Sequence, residues 1–342
     1  MGFAIKPSLP PMEARLVDEI PTGDEWQYEP KWDGFRCLVF RDDRKVVLQS
    51  KSGQPLGRYF PEIVAAVSKL KAKRLVLDGE LVLPVGEQLV FDELLQRIHP
   101  AASRVKRLST EHPALFIVFD LMADERGHSL LERPFQERRR SLEAFAKKNF
   151  VPGNLLRLSP ATRDLATAKR WFRRVGGIVA KRVDMPYHSG DRLAMQKIKV
   201  HKTADCVIGG FRYASRGKIV GSLLLGLYDD AGLLHHVGFT SGLSKLQRRE
   251  LTPKLERLIK PPGFTGRAPG APSRWSNARS TAWQPLKPKL VIEVAFDHVS
   301  GNRLRHGTKF VRWRPDKAPR QCTFDQIVSR STASLHLLTT AS

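Results

Sequence analysis

A lysine stands in the octet Glu29-Pro30-Lys31-Trp32-Asp33-Gly34-Phe35-Arg36, just ahead of the apolar run Cys37-Leu38-Val39-Phe40. Its chemistry would be nucleophilic attack at phosphorus. An ammonium has no free electron pair at neutral pH, so such a lysine needs its proton made easier to lose, by nearby cations or by burial. The neighbours suit a single site. Gly34 lets backbone approach a nucleotide, Asp33 can hold a metal or a sugar hydroxyl, and Arg36 can reach phosphate or ribose. The other reading of the octet is a surface turn between two strands carrying solvated charges.

Further carboxylates interrupt runs that otherwise read as buried strands. Asp78-Gly79-Glu80 breaks residues 75–83, and Asp120 is the one charge in residues 115–121. A charge in a core strand is costly without a partner, so both places point to function.

The elements that must position these groups alternate between short β-rich runs and helical patterns. Pro61 opens a helix with Ile63, Val64, Val67 and Leu70 on one face. Residues 133–148, rich in Arg, Glu and Lys around Leu142 and Phe145, read as a solvated surface helix, and a second helix over 165–175 leads into Gly176-Gly177. Beyond Lys199, short runs at 205–211, 221–228, 234–240, 290–296 and 309–313 suggest a small barrel. Residues 261–285, punctuated by proline and glycine and carrying Arg267, Arg274 and Arg279, read as a long basic loop that can lie along a phosphate backbone.

At 342 residues the chain is long enough for two domains. Its formal charge of +24 calls for a polyanionic partner whose phosphates release counterions on binding. A membrane surface is the rival partner, but no apolar run approaches the roughly 20 residues of a spanning helix, and Met1-Gly2-Phe3-Ala4-Ile5-Lys6-Pro7 lacks a secretory pattern. The expectation is a soluble, cytoplasmic, nucleoid-associated monomer. Cys37, Cys206 and Cys322 are far apart and read as buried reduced thiols, which leaves no structural zinc site.

Lys31-Trp32-Asp33-Gly34-Phe35-Arg36 resembles the nucleophile motif of the covalent nucleotidyltransferases, the superfamily of DNA ligases, RNA ligases and capping enzymes. The resemblance recurs in order through Ser50-Lys51-Ser52-Gly53, Leu77-Asp78-Gly79-Glu80-Leu81, Phe116-Ile117-Val118-Phe119-Asp120-Leu121, Gly177-Ile178-Val179-Ala180-Lys181-Arg182 and Gln196-Lys197-Ile198-Lys199. Arg305-His306-Gly307 with Phe310-Val311-Arg312-Trp313-Arg314-Pro315-Asp316-Lys317 resembles the last motif of bacterial ATP-dependent DNA ligases, and the whole is most similar to their small C type. NAD-dependent ligases share the lysine chemistry but are longer and carry a zinc module.

The resemblance implies an α+β protein: a nucleotidyltransferase (ATP-grasp-like) adenylation domain with antiparallel sheets and helices over residues 1–200, then an OB-fold β-barrel over 201–342. It implies nick sealing in DNA repair. Lys31 would attack the α-phosphate of ATP, with Mg2+ or Mn2+ held by Asp33 and Glu80, and with Asp184 a further candidate ligand. Lys197 and Lys199, two apart on a strand, would face one pocket as catalytic cations, and Lys181 would add a third charge. Phe119 would stack on adenine, with Phe116 the alternative. Glu29 would read the base, Glu80 and Arg36 would hold the ribose, and Lys51 would approach a nick phosphate. Arg312, Arg314 and Lys317, with Asp316, would face the pyrophosphate in one pose of a swinging last domain. Arg305 and His306 would support that face, and Trp313 would be packing. Nicked duplex DNA is the implied substrate, and a repair polymerase or an end-binding protein an implied partner.

The family's fourth motif usually places an acid before its glycine, where this chain has Gly176-Gly177. That predicts a slower metal-dependent step, restored by Gly176→Glu, and keeps a weakly active or degenerate paralogue in view. RNA ligase or capping-type transfer, and a basic OB-fold protein that only coats nucleic acid, are the other readings.

Overall fold

The computed structural model describes residues 5–151, 153–200, 202–215, 217–270, 282–297, 299–305, 307–327 and 335–339. The chain divides into two compact units, Met1–Val200 with Ser331–Ser342, and His201–Arg330. The tail thus differs from the expected assignment of 201–342 to one domain. Its apolar pair explains this, since Leu337 is buried beside Trp32, Val82 and Ile117 of the first unit, with Leu338 packed against them.

Two larger sheets, beside the short ribbon Pro84–Val85 with Gln88–Leu89, build the described part of the first unit. In one, Trp26–Pro30 pairs with Gly177–Arg182, which pairs with Met195–Lys199, and Arg15–Leu16 adds a parallel edge. The other runs Lys45–Ser50, Phe35–Asp42, Arg74–Val82, Leu115–Ala123, Leu156–Leu158, antiparallel except for its last pair. Strand alternation gives this second sheet two different faces. Cys37, Val39, Leu75, Leu77, Phe116 and Val118 join a core with Ile63 and Val67 of the helix Pro61–Ser68 and with Leu142 and Phe145 of the helix Phe135–Asn149. Leu38, Phe40, Val76 and Met122 face the other way and pack with Met195 and Val179 of the first sheet. The outer face of that first sheet, Trp26, Tyr28, Ile178, Ala180 and Ile198, is covered by the helix Leu165–Val175.

The helix Phe135–Asn149 corrects one expectation. It is not simply a solvated surface element, because Arg138 and Arg139 are buried along with its apolar residues. Arg138 pairs with Asp120, and Arg139 donates to the Ser159 carbonyl as well as to Glu143 on its own helix; of these only Glu143 could be foreseen from the helix's own sequence.

In the second unit the strands run Leu234–Thr240, Val220–Tyr228, Lys202–Tyr213, Val291–Phe296, Lys309–Trp313, all antiparallel, over a core that includes Phe211, Leu223, Leu225, Val237 and Ile292. The architecture is OB-like, but the expected barrel is not closed among the described residues. The first of these strands ends at Thr240 and the last begins at Lys309, so they meet only end to end, through the single bridge Thr240–Thr308. A helix, Lys245–Glu256, escaped the sequence reading. Ser244 and Gln247 form its capping box, a signal legible in the sequence. Of the basic loop, Arg267 donates to the Asn302 carbonyl, while Arg274 and Arg279 lie outside the described residues. All three cysteines are buried and unbridged.

Candidate active site

Lys31 begins the crossover from one sheet of the first unit to the other. It follows the strand Trp26–Pro30, and its own N–H donates to the Gly177 carbonyl at 3.1 Å. A cavity opens here, lined by Glu29, Lys31, Arg36, Lys51, Glu80, Phe119, Lys181 and Lys197 among others. It holds about 790 Å³ counting its open mouth.

Three glycines matter for close packing. A Cβ on Gly177 would lie 3.2 Å from Lys31 Cβ and Cδ, so glycine leaves room for the lysine stem. A Cβ on Gly34 would sit 2.0 Å from the Leu81 carbonyl oxygen, so Gly34 serves strand packing rather than approach to a nucleotide. On Gly79 it would strike the Phe116 ring at 2.5 Å, which seats Phe116 in the core, whereas Phe119 and Trp32 are cavity-lining aromatics.

Arg36, Asp78 and Glu80 continue the inter-sheet face where its apolar residues end. Asp78, fully buried, takes both Arg36 Nε (2.5 Å) and Nη2 (2.6 Å), and accepts from the Tyr187 hydroxyl at 2.7 Å. Tyr187 in turn accepts from the Met12 N–H. Glu80 is left for the cavity. Burial pushes its carboxyl up to about 7, against the pull of Arg36 and Lys31 and with the help of Asp33 and Asp78. Asp120, expected to be functional, is bonded through both oxygens to Arg138 at 2.9 Å and is a scaffold charge. A buried bidentate pair of this kind meets the cost of both charges only by mutual neutralisation.

At the other end, Lys181 Nζ donates to Glu29 Oε1 at 2.9 Å and to the Phe119 carbonyl at 3.2 Å. Burial presses the Lys181 ammonium towards neutrality, and Glu29 resists it. The Phe119 ring, 8% exposed, has Arg36 Cζ and Lys181 Nζ each 4.5 Å from its centroid. Arg139 stands 3.7 Å from Glu29 and donates to the Ser159 carbonyl.

Lysines gather opposite. Met195 and Lys197 line the cavity from alternate positions of one strand, and burial lowers the Lys197 ammonium, followed by repulsion from Lys199, Lys51 and Lys31. Lys199 shares that side of the strand but is not among the cavity-lining residues. Lys51 is held by Glu13 at 3.0 Å. Asp33 interacts electrostatically with Glu80 without lining the cavity. Asp184 is exposed and bidentate with Arg182, so it does not belong to this site.

In the second unit the cations of the last motif are all paired. Arg312 meets Glu293 at 2.6 Å, Arg314 grips both Asp205 and Asp316, and Lys317 meets Asp205 at 2.7 Å. Trp313 packs on Phe310 and the core, as expected. Arg305 is partly buried, and His306 lies outside the described residues.

Residues 11–199 match the family model described as the ATP dependent DNA ligase domain, and residues 216–317 the model for the ATP dependent DNA ligase C terminal region. The chain belongs to the ATP-dependent DNA ligases. Among curated relatives, DNA ligase C1 of Mycolicibacterium smegmatis is 44% identical, with 96% of each chain covered. DNA ligase C of Mycobacterium tuberculosis is 39% identical, with 98% of each covered. A solved Lig E DNA ligase structure, 17% identical with a TM-score of 0.57 over 89% of this chain and 99% of its own, shares the fold. This ligase is therefore of the small bacterial kind, and it uses ATP.

Sequence reasoning missed part of the ligase's pocket. Pro11, Met12, Glu13 and Ala14 line it from an irregular segment with no periodicity to betray it. Tyr187, 109 residues beyond Asp78, and Arg139 of the misjudged helix do not line it but support residues beside it, Tyr187 through Asp78 and Arg139 at 3.7 Å from Glu29. Trp32 also lines the cavity, while its Nε1–H donates to Ser159 Oγ at 3.0 Å and its ring packs with Leu337.

Proposed function

We propose that this ligase seals nicked duplex DNA in repair, through Lys31. Lys31 Nζ bonds to the α-phosphorus of ATP and pyrophosphate leaves; AMP passes to the 5′-phosphate at the nick; the 3′-hydroxyl then displaces AMP. The observation that carries the reading is the cavity itself: Lys31 at its wall, lysines on one side and the Glu29–Lys181 pair on the other. Lys197 and Lys199 offset charge on the α-phosphate as pyrophosphate departs. Glu29 and Lys181 read adenine beside Phe119, Arg36 and Glu80 hold the ribose, and Lys51 exchanges Glu13 for a nick phosphate. Arg312, Arg314 and Lys317 receive the pyrophosphate.

Asp33 and Glu80 fit a magnesium or manganese ion, which commonly keeps several waters and takes one or two protein carboxylates beside phosphate oxygens. Such an ion screens phosphate charge when bound. A bound cation would favour the ionised form of Glu80, whose carboxyl burial otherwise raises.

A weakly active paralogue is the second reading, favoured by Gly176 at the place of an acid. The net charge of +24 supports DNA as partner, and no helix among the described residues is long and apolar enough to cross a membrane. Our reading is a monomer of the cytoplasm and nucleoid, recruited by a repair polymerase or an end-binding protein.

Intact-mass measurement after incubation with ATP and magnesium should show the gain of one AMP, absent in Lys31→Ala, and the wild type should seal a nicked duplex. An adduct with GTP alone would favour capping-type transfer, and sealing of RNA alone an RNA ligase. Salt-sensitive DNA binding without any adduct would leave only a coating protein.

A further inference from the structure

Residues 314–317, Arg-Pro-Asp-Lys, form a tight turn: the Lys317 N–H donates to the Arg314 carbonyl at 3.2 Å, with proline second. The turn points the first and fourth side chains at one acceptor. That acceptor is Asp205, on the strand Lys202–Tyr213, which takes Arg314 Nη1 on both oxygens (2.8 and 2.9 Å) and Lys317 Nζ on one (2.7 Å). Asp205 is itself held fast, since its N–H donates to Gln326 Oε1 and its carbonyl accepts from Gln326 Nε2. The carboxylate is buried, 7% exposed, and lies in register with Glu293 on the neighbouring strand. Two acids side by side repel unless cations intervene. Arg312, Arg314 and Lys317 supply those cations, while Asp316 engages the far edge of the Arg314 guanidinium.

We infer that Asp205 is a positioning residue for adenylation of Lys31, holding Arg314 and Lys317 as one preformed cationic pair for the departing pyrophosphate. The inference rests on the proposed role of the last motif. Both heads are held in advance by a carboxylate on the strand Lys202–Tyr213, so their ordering does not have to occur at the moment of reaction. A pair that served stability alone would affect every step of sealing alike.

The test measures two reactions separately in the full-length chain: adduct formation from ATP, and sealing of a nicked duplex already carrying a 5′-adenylate, which needs no pyrophosphate to leave. Asp205→Asn keeps the shape and removes the charge. It should slow adduct formation roughly tenfold or more and leave sealing of the adenylated nick at the wild-type rate. In an Arg314→Ala, Lys317→Ala background it should add little further. Equal losses in both reactions, or wild-type adduct formation while Arg314→Ala is impaired, would overturn the role of Asp205 alone. Wild-type adduct formation by Arg314→Ala would remove the last-motif reading as well. Sealing of the adenylated nick also reports that the variant is folded.

Discussion

Gly177 and Lys31 are in contact through a missing atom: a Cβ at 177 would stand 3.2 Å from two carbons of the lysine stem and 3.0 Å from the Ile198 carbonyl oxygen. The position of the proposed nucleophile is thus set by what its neighbour lacks. Gly177→Ala should cost about 1–3 kcal/mol through overpacking. It should also slow adduct formation disproportionately, because a displacement of about 1 Å at a reacting group can cost on the order of a hundredfold. A mass-spectrometric time course beside a denaturant melt would check both halves.

Glu80 predicts a pH dependence of stability. Its folded-state pKa, about 7, lies above the ordinary carboxyl value of 4.5. Between these values the folded chain binds the proton more tightly than the unfolded one, so this group's contribution makes the nucleotide-free enzyme more stable as pH falls from 7 towards 4.5. Denaturant melts of the wild type and Glu80→Gln across that window should differ by this slope, which the glutamine removes. A parallel pair of curves would refute it.

The Asp120–Arg138 pair should behave as scaffold. Arg138→Ala strands a buried carboxylate and should cost about 3–5 kcal/mol. Lys197→Ala, by contrast, should leave the melt almost unchanged while adduct formation fails. Chemical denaturation of the two variants side by side would separate the roles.

Gly176 caps the helix Leu165–Val175 in the left-handed region, at φ 74°, with its N–H on the Phe172 carbonyl. A Cβ there meets nothing within 4 Å, so space is available but the backbone is not. Gly176→Glu should therefore cost about 1–2 kcal/mol. It should at the same time lower the magnesium concentration needed for half-maximal adduct formation. Titration of the metal in both proteins decides whether the lost acid matters.

Much of the site was legible because the chemistry is carried by short runs with a definite order. The lysine octet, the Asp78–Glu80 and Phe119 strands and Lys197 were reached through ordered short motifs and their resemblance to a family, whereas Lys199, expected in the same pocket, does not line it. What sequence did not show are the long-range partners. Asp78 and Asp120 both read as costly carboxylates in apolar runs, and each holds an arginine, Arg36 of the cavity wall in one case and buried Arg138 in the other. Arg138 and Arg139 read as solvated because helical periodicity counts a guanidinium as polar whether or not a carboxylate waits in the core. The irregular segment around Met12 and Glu13 has no period at all, so only packing could bring it to the pocket.

The end-to-end meeting at Thr240 and Thr308 has one more consequence. Lys309–Trp313 hangs from a single full-length neighbour, Val291–Phe296, so peeling it away sacrifices few amide bonds compared with any interior strand. Amide-proton exchange should be fastest along that seam. The residues proposed to receive pyrophosphate would then ride on an easily detached ribbon of their unit, with the Asp205 contacts as its mooring.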